Sequence, residues 1–205
     1  MFLRLNRTKS AHLKEGRQKM KNKIHIPKET EYILGVDPDT KNQAYALIDL
    51  DGRPITAWVS KSDGSEWAQG ISNWMDYPLH PNTFCVIEGQ EVYKDVKKSV
   101  PANMIRLARS SGIAVAECTR AGCIGIYITQ PKEWKGSVQK HAKQAQIIRN
   151  LGYTPKVVGG KDKYCVPEEN FLNMNQTEYK HVIDGFGIAL WALDIFKWNL
   201  KKERL

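Results

Sequence analysis

Two short apolar runs in this chain each end in a carboxylate: Tyr32-Ile33-Leu34-Gly35-Val36-Asp37 and Phe84-Cys85-Val86-Ile87-Glu88. Runs of this length read as buried strands. A carboxylate in such a run is costly unless it is paired or bound to a cation. The fold must therefore seat both strands in a core and find a partner for the acid at the end of each. The remaining pattern supplies the neighbours. Residues 43–50 alternate loosely into Asp51-Gly52, a hairpin signal, and residues 55–60 return as a third strand. Residues 65–75 place Trp67, Ile71, Trp74 and Met75 at helical spacing behind Ser65 as N-cap. Residues 101–120 read as one long helix, opened by Pro101 and closed by Gly122, although 113–118 taken alone also fits a strand. Residues 124–129 form a strand, 141–150 a helix stopped at Gly152, and 178–197 an amphipathic helix. Residues 153–178, with Pro155, Gly159-Gly160 and Pro167, read as a long loop. Three strands in meander, then strands alternating with helices, predict an α/β chain with a mixed five-stranded sheet flanked by helices.

The 205 residues suit one domain, and 41% apolar content is enough for a core. Charge is distributed unevenly. Of the net +9, residues 1–30 carry +7, from nine Lys/Arg against Glu15 and Glu29, and the body keeps +2. The expected division is a basic flexible arm over 1–30 and a compact domain over 31–205. Such an arm suits a polyanion, of which nucleic acid is the usual one; a solubilising tail or an organelle-targeting peptide has the same composition. No apolar stretch approaches the roughly 20 residues of a membrane span. Arg4 breaks the apolar start, so no secretory signal is read. Cys85, Cys118, Cys123 and Cys165 form no C-x-x-C pair and read as reduced, mostly buried thiols of a cytoplasmic protein, from a bacterial or a phage-infected cell.

Asp184, beside Gly185 and Gly187 in the first turns of the last helix, is a third acid in apolar surroundings. If Asp37, Glu88 and Asp184 converge at the strand ends, they make a site for hard divalent cations. Two such ions about 3.5–4 Å apart suit phosphodiester hydrolysis. His181 stands three residues before Asp184 on one helix face and could ligate metal or move a proton. Singly, each residue has an ordinary alternative: Asp37 as a turn aspartate in Asp37-Pro38-Asp39, His181 as a satisfied histidine.

The set resembles the RuvC family of Holliday junction resolvases, within the RNase H-like superfamily. Gly35-Val36-Asp37-Pro38 followed by an antiparallel strand is similar to the family's opening motif, and Val86-Ile87-Glu88 to its second acidic motif. His181-Val182-Ile183-Asp184, leading into Ala189-Leu190-Trp191-Ala192, is similar to its terminal helix. Lys132 and Lys143, flanking Gly136 and continued by Gln144-Ala145-Gln146-Ile147, match two family lysines. The form of Asp37-Pro38-Asp39-Thr40 and of Glu133-Trp134-Lys135 is closer to phage and organelle members. The resemblance implies an RNase H-like fold and a homodimer acting on branched DNA, specifically four-way junctions. It also implies Mg²⁺ (or Mn²⁺), two ions per site, held by Asp37, Glu88, His181 and Asp184. Lys132, Lys143 and Lys135 would meet phosphates, and Tyr93 stands near where a wedge residue would stack on an unpaired base. The basic arm, the length of 153–178 and the displaced Tyr93 depart from the family. Trp58, Trp67, Trp74, Trp191 and Trp198 read as core. Two rival readings remain on the same fold: a ribonuclease H or other branched-DNA nuclease, and a DNA-binding relative without catalysis.

Overall fold

The computed structural model describes residues 24–39, 42–61, 79–89 and 101–203. The expected helix over 65–75 and Tyr93 lie outside the described residues, as does most of the basic arm. Strand β1 (Tyr32–Asp37) pairs antiparallel with β2 (Asn42–Asp49), which pairs antiparallel with β3 (Pro54–Lys61). The β2–β3 turn is the one its sequence predicts. Gly52 takes φ +88°, and Asp49 Oδ1 accepts from the amides of Asp51 at 2.9 Å and Arg53 at 2.8 Å. On its other edge β1 runs parallel to β4 (Thr83–Glu88), and β4 runs parallel to β5 (Gly125–Thr129). The sheet order is β3-β2-β1-β4-β5. Helix α1 (Pro101–Arg120) forms the β4–β5 crossover. A short turn α2 (Pro131–Trp134) and helix α3 (Lys140–Asn150) follow β5. Helix α4 (Gln176–Glu203) ends the described chain.

Side-chain alternation assigns each strand residue to a face. Leu34, Val36, Tyr45, Leu47, Cys85 and Ile87 pack with Ala114 and Cys118 of α1. Ile33, Ala46, Ile48, Phe84 and Val86 pack with α3 and α4. By the same parity, Asp37 follows Ile33 and Gly35, and Glu88 follows Phe84 and Val86, so both acids belong to the α4 face. Helix α4 lies unusually near the sheet because the contact is made of small residues. A Cβ on Gly35 would stand 2.0 Å from the Gly185 carbonyl oxygen and 2.8 Å from the Ala189 nitrogen. This backbone-to-backbone seat brings the first turns of α4 to the ends of β1 and β4.

Two expectations are corrected. The segment 153–178 is not a loop throughout: β6 (Pro155–Val158) and β7 (Tyr164–Pro167) form an antiparallel ribbon. Cys165 and Val166 bury against the α3–α4 layer, which offsets the weak propensity of four-residue strands flanked by Pro and Gly. The domain also begins before residue 31. Ile24 and Ile26 are both 4% exposed within the main core, and Asn199 Nδ2 donates to the Ile24 carbonyl at 3.2 Å. Ile24 and Ile26 thus place the residues from 24 onward in the domain. The strands, the long helix 101–120 and its Gly122 stop (φ +82°) stand as expected. Trp58 stacks on Tyr45 at 5.0 Å between centroids, and Trp191 packs against the main core. No helix among the described residues is long and apolar enough to cross a membrane.

Candidate active site

Asp37, Glu88 and Asp184 act on one another by charge, Lys135 bridges Glu88 and Asp184, and each acid has a further neighbour that holds it. Glu88 closes β4, and the pairing continues one step beyond it, where Gly89 N donates to the Thr129 carbonyl at 2.7 Å. The chain then turns through Gln130, whose amide donates to Glu133 Oε2 at 2.9 Å, a side chain that also accepts from Thr129 Oγ1 at 3.0 Å. That turn aims buried Trp134 back at the strand end. Trp134 Nε1 donates to Glu88 Oε2 at 2.6 Å, and Lys135 Nζ lies 3.1 Å from the same oxygen. Asp184 is 1% exposed. Its Oδ1 accepts from Gln144 Nε2 at 3.1 Å; its Oδ2 lies 2.8 Å from Lys140 Nζ and 4.0 Å from Lys135 Nζ. At 2.8 Å the Lys140 ammonium is a charge-assisted partner of the buried Oδ2. Gln144 is itself fully buried. It donates to the Lys180 carbonyl at 3.1 Å and accepts from Cys165 N at 3.0 Å, joining α3, α4 and β7 behind Asp184. Across the site His181 Nδ1 lies 3.4 Å from Asp37 Oδ2, and its Nε2 lies 3.8 Å from Asp39 Oδ2.

Electrostatics separates the acids. Burial pushes Glu88 up to about 7, and the Asp37 charge adds to this against the pull of Lys135. Burial, then the Asp37 charge, also raises Asp184, with Lys140 and Lys135 opposing. For Asp37, burial likewise favours the neutral form, but the His181 hydrogen bond and the charges of Lys135, His181 and Lys140 together outweigh it and hold the carboxyl low. Burial works against the Lys135 ammonium, yet Asp184, Glu88 and Asp37 raise it. The centre is thus a pocket of negative charge partly neutralised by lysine ammonium groups. Its donor set is oxygen-rich with one imidazole, the chemistry a hard divalent cation takes, and such an ion at Asp184 Oδ2 would take the place that the Lys140 ammonium holds here.

Of the residues singled out in the sequence, Asp37, Glu88, His181, Asp184 and Lys135 meet here. Lys132 is exposed on α2 and Lys143 half-buried on α3. Sequence reasoning missed Trp134 as a Glu88 partner, Lys140, and the positioning role of Gln144. Lys140 and Gln144 stand four apart, so they share one face of α3 toward Asp184. An amide among apolar positions is a signal that could have found Gln144; nothing local marks Trp134.

Neither a protein-family model nor a curated protein matches the sequence. Solved structures do match in fold. RuvC of Thermus thermophilus, in complex with a Holliday junction substrate, superposes with a TM-score of 0.51 at 16% identity, over 79% of this chain and 93% of that one. The fold is that of RuvC. The yeast mitochondrial Holliday junction resolvase Ydc2 matches equally, with a TM-score of 0.51 at 14% identity, over 94% of this chain and 91% of that one. The RuvC-like, RNase H-like sheet flanked by helices therefore spans most of the chain, and identity this low carries the fold and no more.

Proposed function

We propose that the protein is a metal-dependent endonuclease that resolves four-way DNA junctions. The observation that carries this reading is the meeting of Asp37, Glu88 and Asp184, from β1, β4 and α4, on a RuvC-like fold beside Lys135 and Lys140. Asp37, Glu88, Asp184 and His181 are the ligand set for Mg²⁺ or Mn²⁺, two ions per site in this reading. Held by these residues, such ions would supply a water of lowered pKa and would offset charge on the phosphodiester, and the ends expected are 5′-phosphate and 3′-hydroxyl.

The chain's own residues prepare that chemistry. Trp134 fixes one Glu88 oxygen by its hydrogen bond and Gln144 fixes Asp184 Oδ1, so neither carboxylate reorganises when DNA arrives. His181 beside Asp37 is placed to orient it or to accept a proton. Lys135 and Lys140, now on carboxylates, would meet phosphate as point charges, and Lys132 and Lys143 would add theirs at the margin. The expected arm runs to residue 30, but with Ile24 and Ile26 in the core it is the basic residues before Ile24 that add phosphate contacts, and Tyr93 is the candidate wedge against an unpaired base. Each chain carries one set of ligands, whereas resolution needs two opposed cuts, so the acting form is a homodimer. Its candidate surface is α1, where Ile105 is 66% exposed.

The deciding experiment incubates the purified protein with an immobile four-way junction, a flap, a linear duplex and an RNA–DNA hybrid, with Mg²⁺ and with chelator. Paired Mg²⁺-dependent nicks confined to the junction support the proposal. Preferred cutting of the hybrid would replace it with a ribonuclease H, and no cutting of any substrate with Mg²⁺ or Mn²⁺ would leave a DNA-binding relative.

A further inference from the structure

On the sheet face opposite the carboxylates, three thiols that are far apart in the sequence come together. Cys85 lies on β4, Cys118 in the last turn of α1, and Cys123 just beyond it. Their Sγ atoms all lie within 4.8 Å of one another, and the Cys85 and Cys118 sulfurs are 3.2 Å apart. The turn after α1 builds the third side: Gly122 takes φ +82°, and the Cys123 amide donates to the Cys118 carbonyl at 3.1 Å, folding Cys123 back over the helix end. All three are free thiols. Cys85 and Cys118 are buried while Cys123 is half-buried, so the cluster has a closed back and one side open to entry.

We propose that Cys85, Cys118 and Cys123 bind a thiophilic d¹⁰ cation, Zn²⁺ or Cu⁺, as a site separate from the carboxylates. Sulfur ligands select such ions over Mg²⁺. A metal–sulfur bond of about 2.3 Å spaces three ligand sulfurs about 4 Å apart, so the 3.2 Å Cys85–Cys118 separation would open by about 0.6–0.8 Å and no other side would close by more than about 1 Å. The Cys118 and Cys85 thiols and the Cys123 backbone amide lower the pKa of the Cys123 thiol against the effect of burial. Binding releases the remaining thiol protons as the three sulfurs become ligands, with no change of oxidation state. The ion would pin the end of α1 and the turn after it to β4, the strand that ends in Glu88.

The test titrates Co²⁺ into the full chain, reduced with a phosphine and free of chelator, and follows the ultraviolet sulfur-to-cobalt charge-transfer absorption. Oxygen ligands give no such absorption, so ions taken by the carboxylates do not register. The expected result is saturation at one Co²⁺ per chain, displacement by Zn²⁺ or Cu⁺ according to which the site prefers, and loss of the signal in Cys123→Ser and Cys118→Ser. Cys165→Ser and Asp37→Asn should retain it. Because Cys118 is buried, far-ultraviolet circular dichroism checks that its variant folds; half-buried Cys123 carries the test if it does not. No charge-transfer absorption in the wild type, or an unchanged signal in Cys123→Ser, overturns the proposal. So does loss of two titratable thiols in air without metal uptake, which would make the Cys85–Cys118 contact a disulfide precursor.

Discussion

Asp184 and Glu117 are 1% and 5% exposed, on helices that cover opposite faces of one sheet, and they are buried by different means. Asp184 sits among charges: Lys140, Lys135, and the acids Asp37 and Glu88. Glu117 sits in a largely neutral network. Its Oε2 is 2.6 Å from the Tyr45 hydroxyl, which is 2.5 Å from Gln43 Oε1, while Gln43 Nε2 donates to the Ser110 carbonyl at 2.9 Å. Tyr45 has one hydroxyl proton and faces two oxygens. Gln43 Oε1 can only accept, so the network closes fully when Glu117 brings a proton of its own. Burial raises the Glu117 pKa in the same direction, against Tyr45 and Arg120. A buried acid that completes a neutral network is scaffold. A buried acid balanced by movable ammonium groups keeps its charge available to another cation.

The sharpest way to break this contrast is Asp37→Asn, which removes a charge while keeping shape. Cleavage of a four-way junction should fall by about a thousandfold, the upper range for loss of one preorganised electrostatic group. Junction binding in chelator, read by gel shift, should survive. Near wild-type cutting by this variant would remove Asp37 from the metal site.

Stability against pH is the next test, and because Glu117 is raised in the same direction as Glu88 and Asp184, the response to Mg²⁺ and not the pH slope alone separates the faces. Glu88 is raised to about 7, above its ordinary 4.5, so the native state binds more protons than the unfolded state between those values. Without metal, stability should therefore be greatest below about pH 4.5 on this account and fall as pH rises through 7, by at most about 3 kcal/mol. Added Mg²⁺ should restore it most at high pH, where it replaces the protons. Melting temperatures at pH 5 and 8, with and without Mg²⁺, test this; Glu88→Gln should lessen the dependence, leaving the part due to Asp184 and Glu117. An equal Mg²⁺ effect at both values would mean that the ion binds elsewhere.

Trp134→Phe keeps the ring and removes the Glu88 hydrogen bond. Cleavage should drop about 10–100-fold, as for other partners that orient metal ligands, with little change in melting temperature. A loss of stability without loss of rate would make Trp134 a packing residue alone.

The smallest effects belong to the neutral face. Tyr45→Phe should cost about 1–3 kcal/mol of stability by stranding buried polar atoms, and Glu117→Gln under about 1 kcal/mol. Chemical denaturation measures both, and neither should alter the cleavage rate per folded molecule. A pronounced rate defect in Glu117→Gln would dissolve the distinction between the faces.

Local patterning determined the strands that end in Asp37 and Glu88, the Asp51-Gly52 hairpin, the Gly122 stop and the placing of His181 and Asp184 three apart on one helix face. These follow from alternation, turn conformation and helical spacing, which act over a few residues. The seat of α4 was half visible: Gly185 and Gly187 marked it in sequence, but its meaning required Gly35 on a strand about 150 residues earlier. The β6–β7 ribbon was hidden because strands of four residues have too little alternation to register and gain stability only by packing on α3 and α4. Docking of Ile24 and Ile26 was hidden by the basic residues around them. Contacts between distant segments belong wholly to the tertiary structure. Trp134 reaches Glu88 across 46 positions, Gln144 reaches Asp184 across 40, and Cys85 meets Cys118 across 33. A side chain's role depends on the atoms within hydrogen-bonding distance. For these residues only the strand crossover and the close approach of α4 to the sheet decide which atoms those are.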